Sequence, residues 1–145
     1  MKFKKYGKDW ELPEAFYRVA AKLIIKDENN KVLVLKDLTT DAWEMPGGGV
    51  DHGEDIKQAI GREVSEELGV ELTHIDNDPF TIEFGLHPDN YRTVKIYFQA
   101  KISSSDFKLE EKFKSKFVDK QEFMSLHMFG DESPIQKHAN RIWPS

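Results

Sequence analysis

A chain of 145 residues with 39% apolar and 32% charged side chains suits one domain and can bury a real core. Zero cysteines exclude disulfides, thiol nucleophiles and cysteine-bound zinc, and 21 Lys plus Arg against 26 Asp plus Glu, a net charge of −5, argues against broad nucleic-acid binding. The N-terminus lacks the apolar run of a signal peptide or membrane span, so a cytoplasmic location away from membranes is the expectation.

Residues 1–13 carry four lysines with little periodicity and read as an N-terminal arm that packs on the domain or on a partner subunit; monomer and homodimer are both compatible with it. Residues 16–26, apolar at Val19, Ala21, Leu23 and Ile25, and the run Val32 to Leu35 predict two strands. The turn cluster Asp27-Glu28-Asn29-Asn30 between them predicts a hairpin. Trp43 then reads as a core or loop-packing aromatic, and Pro46 with Gly47, Gly48 and Gly49 reads as an irregular loop whose backbone a ligand can approach closely.

Asp51 and Glu54 have the spacing of a capping box, which predicts a helix starting near Gly53 and ending at Gly69. At 100° per residue, Ala59, Ile60, Val64 and Leu68 form an apolar arc. Glu63 and Glu67 fall inside that arc and Glu66 at its edge, where a merely solvated helix face would not place them. Like charges three and four residues apart repel, and drawing them toward a core costs more unless a cation compensates. Oxygen ligands clustered without Cys or paired His favour Mg²⁺ or Mn²⁺ over zinc.

Beyond the helix, residues 71–75 predict a weak strand, and the alternations Phe80, Ile82, Phe84, Leu86 and Val94, Ile96, Phe98, Ala100, Ile102 predict two more, paired antiparallel across the turn at 87–90. Residues 103–116 read as polar and mostly irregular, with Glu110 and Glu111 inside. Asp119 and Glu122 then cap a short helix carrying Phe123 and Leu126. Ser133-Pro134 starts another segment with Ile135, Ala139 and Ile142 inward. The histidines at 52, 74, 87, 127 and 138 share no metal-ligand spacing.

Gly48, Glu54, Arg62, Glu63, Val64, Glu66, Glu67, Gly69 and Val70 match all nine defining positions of a Nudix box, so the chain resembles the Nudix (MutT-like) hydrolases, and the strand pattern from about residue 16 to 128 is similar to theirs. The resemblance implies an α+β fold, a Nudix-type α/β/α sandwich with a mixed central sheet. It also implies a Mg²⁺- or Mn²⁺-dependent pyrophosphohydrolase that cleaves a P–O–P bond in a nucleoside diphosphate linked to another group, with metal-activated water. It assigns Glu63, Glu66 and Glu67 as metal ligands, with Glu63 or a nearby carboxylate assisting as base, Arg62 as the residue orienting a neighbouring glutamate, and Glu54 as support for the loop and helix start. Glu110 or Glu111 lies where some members of the family put an extra catalytic or metal-binding glutamate, the other reading being a solvated loop acid. Arg18, Tyr91 and Arg92 read either as groups that hold phosphate or stack on a base or as ordinary exposed strand-end residues. Two other classes stand beside the hydrolase: a module that senses a nucleotide without turning it over, and an RNA-end hydrolase, which should carry a basic groove.

Overall fold

The computed structural model describes residues 2–5, 8–11, 16–130 and 133–145. Within the segment read as an arm, β1 (Lys2–Lys5) and β2 (Lys8–Glu11) pair antiparallel; its other residues lie outside the described ones.

The centre is a parallel pair, β3 (Tyr17–Ile25) with a strand that arrives much later in the chain. The path between them runs through β4 (Val32–Asp37), β5 (Ala42–Glu44), β6 (Gly47–Gly49), helix α1 (Ile56–Leu68), β7 (Leu72–Ile75) and β8 (Thr81–Leu86) before reaching β9 (Arg92–Ile102). β6 and β7 complete the order β6-β3-β9-β7, and β8 pairs antiparallel with β9 as the alternation predicts. A second group, β10-β4-β5, with β10 at Phe113–Val118, is antiparallel.

The predicted hairpin forms only its turn. Asp27 takes the N–H groups of Asn29 and Lys31 on its carboxylate, one bridge joins Lys26 to Val32, and β3 and β4 then diverge into different sheets.

The two sheets form the middle layer. On one face, Leu23, Ile25, Leu33, Leu35 and Phe98 bury against Ile60, Val64 and Leu68 of α1, each worth roughly 1.5–3 kcal/mol in apolar transfer. On the other, Ile24, Val32, Val34 and Tyr97 meet Phe123 of α2 (Lys120–Ser125), Ile135 of a 3-10 segment (Ser133–His138) and Ala139 and Ile142 of α3 (Ala139–Ile142). This is the expected α/β/α sandwich with a mixed sheet.

Four expectations are corrected. The glycine loop is a strand: three glycines have little intrinsic preference for one, yet β6 completes an antiparallel ladder with Ala20 to Lys22. Helix α1 starts later than Gly53, because Asp55 and Gln58 form the capping box while Gly53 sits at φ +90° in the turn before it. The stretch 103–116 is irregular only up to Lys112, where β10 begins against β4. The alternation in β8 is real but turned around, since Ile82, Phe84 and Leu86 are exposed and Glu83 is buried. Glu83 occupies the inward side because Lys137 and His138 reach it from the C-terminal segment. Among the described residues no helix is long and apolar enough to cross a membrane.

Candidate active site

The glycines of β6 are pressed from both sides. A Cβ added at Gly48 would lie 2.6 Å from a carboxylate oxygen of Glu63, and one added at Gly49 would lie 2.0 Å from the Arg18 guanidinium. Gly47, at φ +121°, leaves no room either, since its Cβ would meet the Ala21 carbonyl at 2.1 Å. Glutamates therefore approach β6 from the α1 side and cations from the other.

On the α1 side the organising group is Arg62. Its Nε and Nη2 donate to Glu54 at 3.1 and 2.6 Å, its Nη1 to Glu63 at 2.9 Å and Glu66 at 3.2 Å, and its Nη2 also to the Gly49 carbonyl at 3.0 Å. These anions raise the Arg62 pKa further above its already high ordinary value, the bonds it donates to Glu54 contributing most, and the same bonds hold Glu54 below the usual carboxylate range. Glu54 also accepts the Asp51 N–H at 2.7 Å, so it fixes the turn between β6 and α1. Arg62 thus joins Glu54, Glu63, Glu66 and the Gly49 carbonyl through one guanidinium, and Glu54 joins Arg62 to the Asp51 backbone.

Glu67 behaves differently. It is partly buried and accepts the Gly47 N–H at 2.9 Å, and burial, outweighing the pull of Lys22 and that bond, pushes its carboxyl up to about 7. Glu66 is exposed and Glu63 half-buried. Among the described residues no three of His, Cys, Asp or Glu stand arranged as a metal cage, because Arg62 draws Glu63 and Glu66 while Gly47 draws Glu67. The donor set still fits a hard divalent ion: three oxygen-only side chains within two helical turns, one of them, Glu67, largely desolvated.

On the opposite face, a cleft of about 250 Å³ is lined by Arg18, Ala20, Lys22, Glu44, Gly47 to Gly49, His87, Tyr91, Thr93, Lys95 and Phe129. The register explains the set. Arg18 pairs with Thr93, Ala20 with Lys95 and Gly49, and Lys22 with Gly47, so residues of one parity on three strands share a face. Lys22 and Lys95 are both buried, at 6% exposure, and Lys22 donates to the Met45 and Gly47 carbonyls. Tyr91 stacks on His87 at 4.4 Å and on Phe16 at 5.9 Å, which builds an aromatic end wall.

The sequence-derived candidates thus divide. Glu54, Arg62, Glu63, Glu66 and Glu67 gather at β6 with Gly47, Gly48 and Gly49, and Arg18 and Tyr91 line the cleft behind it. Arg92 is exposed and lies outside the cleft lining, with side-chain parity opposite to Thr93. Glu110 and Glu111 are exposed in the turn before β10, on a loop tied to the end of α1 through the Lys108 N–H and the Leu68 carbonyl. Lys22, Lys95, Thr93, His87, Glu44 and Phe129 were not singled out from sequence. For the two lysines a signal existed: each is a lone charge inside an apolar strand run, VAAKLII and TVKIYF.

Comparison with known proteins bears on the family and the fold. Residues 16–142 match the family model for the NUDIX domain. Nudix hydrolase 26, chloroplastic, of Arabidopsis thaliana is 32% identical over 128 residues, covering 86% of this chain and 57% of that protein. An RNA pyrophosphohydrolase of Ruthia magnifica is 39% identical over 59 residues, 41% of this chain and 33% of the other. This chain therefore spans well under two thirds of these curated relatives. A crystal structure of a MutT protein from Methanosarcina mazei superposes with a TM-score of 0.70 at 21% identity, over 90% of this chain and 96% of that one, a likeness of fold.

Proposed function

Because this chain belongs to the Nudix family, by its match to the NUDIX domain over residues 16–142, we propose that it is a hydrolase that cleaves a P–O–P bond in a nucleoside diphosphate derivative. The observation that carries the reading is β6, an edge strand without side chains, with Arg62-ordered carboxylates against one face and a cationic, aromatic-ended cleft against the other.

In this reading the nucleoside lies in the cleft toward Tyr91 and His87, and its phosphates cross the glycine edge toward α1. Arg18 faces phosphate charge, and the absence of Cβ atoms lets the backbone of Gly47 to Gly49 come within contact distance of it. Glu63, Glu66 and Glu67 would hold Mg²⁺ or Mn²⁺, which when bound supplies charge neutralisation at the phosphates and acidity to water. Arg62 holds Glu63 where it lies against Gly48 and binds the exposed Glu66, and Glu54 keeps Arg62 in place. A water oxygen bonds to phosphorus as the bond from phosphorus to the bridging oxygen breaks, and the water's proton passes to a carboxylate of the cluster. The products are a nucleoside monophosphate and the phosphorylated second group, or a shorter phosphate.

The test is a panel of nucleotide derivatives incubated in H₂¹⁸O with Mg²⁺ or Mn²⁺ and, in parallel, with EDTA. Turnover with metal, none with EDTA, and label in a product phosphate are expected. Full activity in EDTA, or label on a sugar or base carbon, overturns the reading. Nucleotide binding with no turnover of any member would make the protein a sensing module instead.

A further inference from the structure

The three carbonyls leading into β6 are all held from β3. The Lys22 ammonium takes the Met45 carbonyl at 2.9 Å and the Gly47 carbonyl at 3.3 Å, and the backbone N–H of Leu23 takes the Pro46 carbonyl between them at 2.9 Å. Anchored this way, the peptide before Gly47 has one orientation, with its N–H directed out to Glu67 at 2.9 Å. The positive φ of Gly47 and the contact a Cβ would make with the Ala21 carbonyl show how tightly this turn of chain is fixed.

From this arrangement we propose that Lys22 is a positioning residue for the carboxylate cluster, acting through the Met45 to Gly47 backbone to set where Glu67 stands. A lysine at 6% exposure is costly unless its donors are used, and an apolar side chain would fill the same place on β3 more cheaply. What an apolar residue would not do is orient two carbonyls on either side of a proline. Lys22 sits on the cleft side of the sheet and Glu67 on the helix that covers the other side, so the effect crosses the strand. The inference rests on the reading of Glu67 as one of the metal-holding acids.

The test uses the full chain with Lys22→Met and Lys22→Arg. In the metal-free protein, hydrogen exchange of the Gly47 amide reads the proposed tie directly; it should quicken about tenfold in Lys22→Met while β9 amides keep their protection. Titration with Mn²⁺ alone should show about tenfold weaker binding, and kcat on the substrate found by the panel should fall about 10–100-fold with KM changed less than about threefold. Lys22→Arg, which keeps donors at the same place, should recover most of the loss. If Lys22→Met does not fold, Lys22→Gln, which keeps one amide donor, carries the same readouts with a smaller loss. A folded variant with unchanged Gly47 exchange and Mn²⁺ affinity overturns the proposal, as does a rise in KM with kcat intact, which would put Lys22 on the substrate. Absence of turnover in the wild type would remove the hydrolase reading alone, since Gly47 exchange is measured without substrate and still decides for or against Lys22.

Discussion

Arg62 and Glu54 are joined twice, Nε to Oε2 at 3.1 Å and Nη2 to Oε1 at 2.6 Å, a fork that only a planar guanidinium can make. The same side chain then reaches Glu63, Glu66 and the Gly49 carbonyl, so its plane sets the aim of two carboxylates at once. Arg62→Lys keeps the charge and loses the fork. It should lower kcat by about 10–100-fold and change KM by less than about threefold. Steady-state kinetics check this, and a pure KM effect would place Arg62 on the substrate.

Glu67 links the site to pH. Its ordinary carboxyl pKa is 4.5, and burial pushes it up to about 7 in the folded chain. Between those values the folded protein binds one more proton here than the unfolded chain, so metal-free stability falls as pH rises through the window and stays low above it. Glu67→Gln keeps an oxygen for the Gly47 N–H and removes the charge. It should melt higher than wild type at pH 8 without metal, by on the order of 1–2 kcal/mol, and match it near pH 4.5. Added Mg²⁺ or Mn²⁺ should raise the melting temperature of wild type more than that of the variant. Thermal melts at both pH values, with EDTA and with metal, measure both effects. A variant that melts lower at pH 8 would mean that the bond to Gly47 needs the full carboxylate charge.

Two glycines separate space from conformation. A Cβ at Gly48 meets Glu63 at 2.6 Å, whereas one at Gly61, inside α1, meets nothing within 4 Å. Gly48→Ala should displace Glu63 and cost about 10–100-fold in kcat. Gly61→Ala should gain roughly 0.5–1 kcal/mol of stability with activity unchanged. Denaturant unfolding and turnover of both variants provide the comparison, and an inactive but well-folded Gly61→Ala would contradict it.

The true helix cap gives a further test. Asp55 accepts the Gln58 N–H at 2.8 Å and Gln58 returns the contact to the Asp55 N–H, so Asp55→Ala should cost about 1 kcal/mol in the unfolding free energy. Asp51→Ala removes only longer, exposed contacts to Arg18 and Arg62 and should cost less than about 0.5 kcal/mol. The reverse order would restore the earlier start of the helix.

How far the sequence could be read follows from the range of each interaction. The placing of Glu63 and Glu67 within the apolar arc of α1 was visible because a helix fixes its own faces: the residues that decide it are three and four apart. Strand faces are fixed only by pairing. Nothing local to Thr81–Leu86 reveals that Glu83, not Phe84, points inward, because the partners that make this affordable, Lys137 and His138, come more than fifty residues later. The cleft was hidden for the same reason. Arg18 and Thr93 are neighbours only through the parallel pairing of β3 with β9, and β6 is a strand only because β3 lies beside it. Asp51 and Glu54 matched a cap in spacing, but the positive φ at Gly53 places a turn there, and Asp55 with Gln58, one turn on, takes the cap.

The crowding of β6 on both faces also sets where descendants of this chain are free to vary. A side chain at 48 collides with Glu63 and one at 49 with Arg18, so neither can be recruited to read a new ligand without disturbing the groups around it. The half of the cleft that can diverge is the rim, at the β8–β9 turn that carries His87 and Tyr91 and at Phe129. Changes there alter what the cleft accepts and leave the glycine edge as it is. In the proposed function, the rim that would choose the ligand and the glycine edge where the reaction would take place are thus separated by the width of two strands, roughly 10 Å.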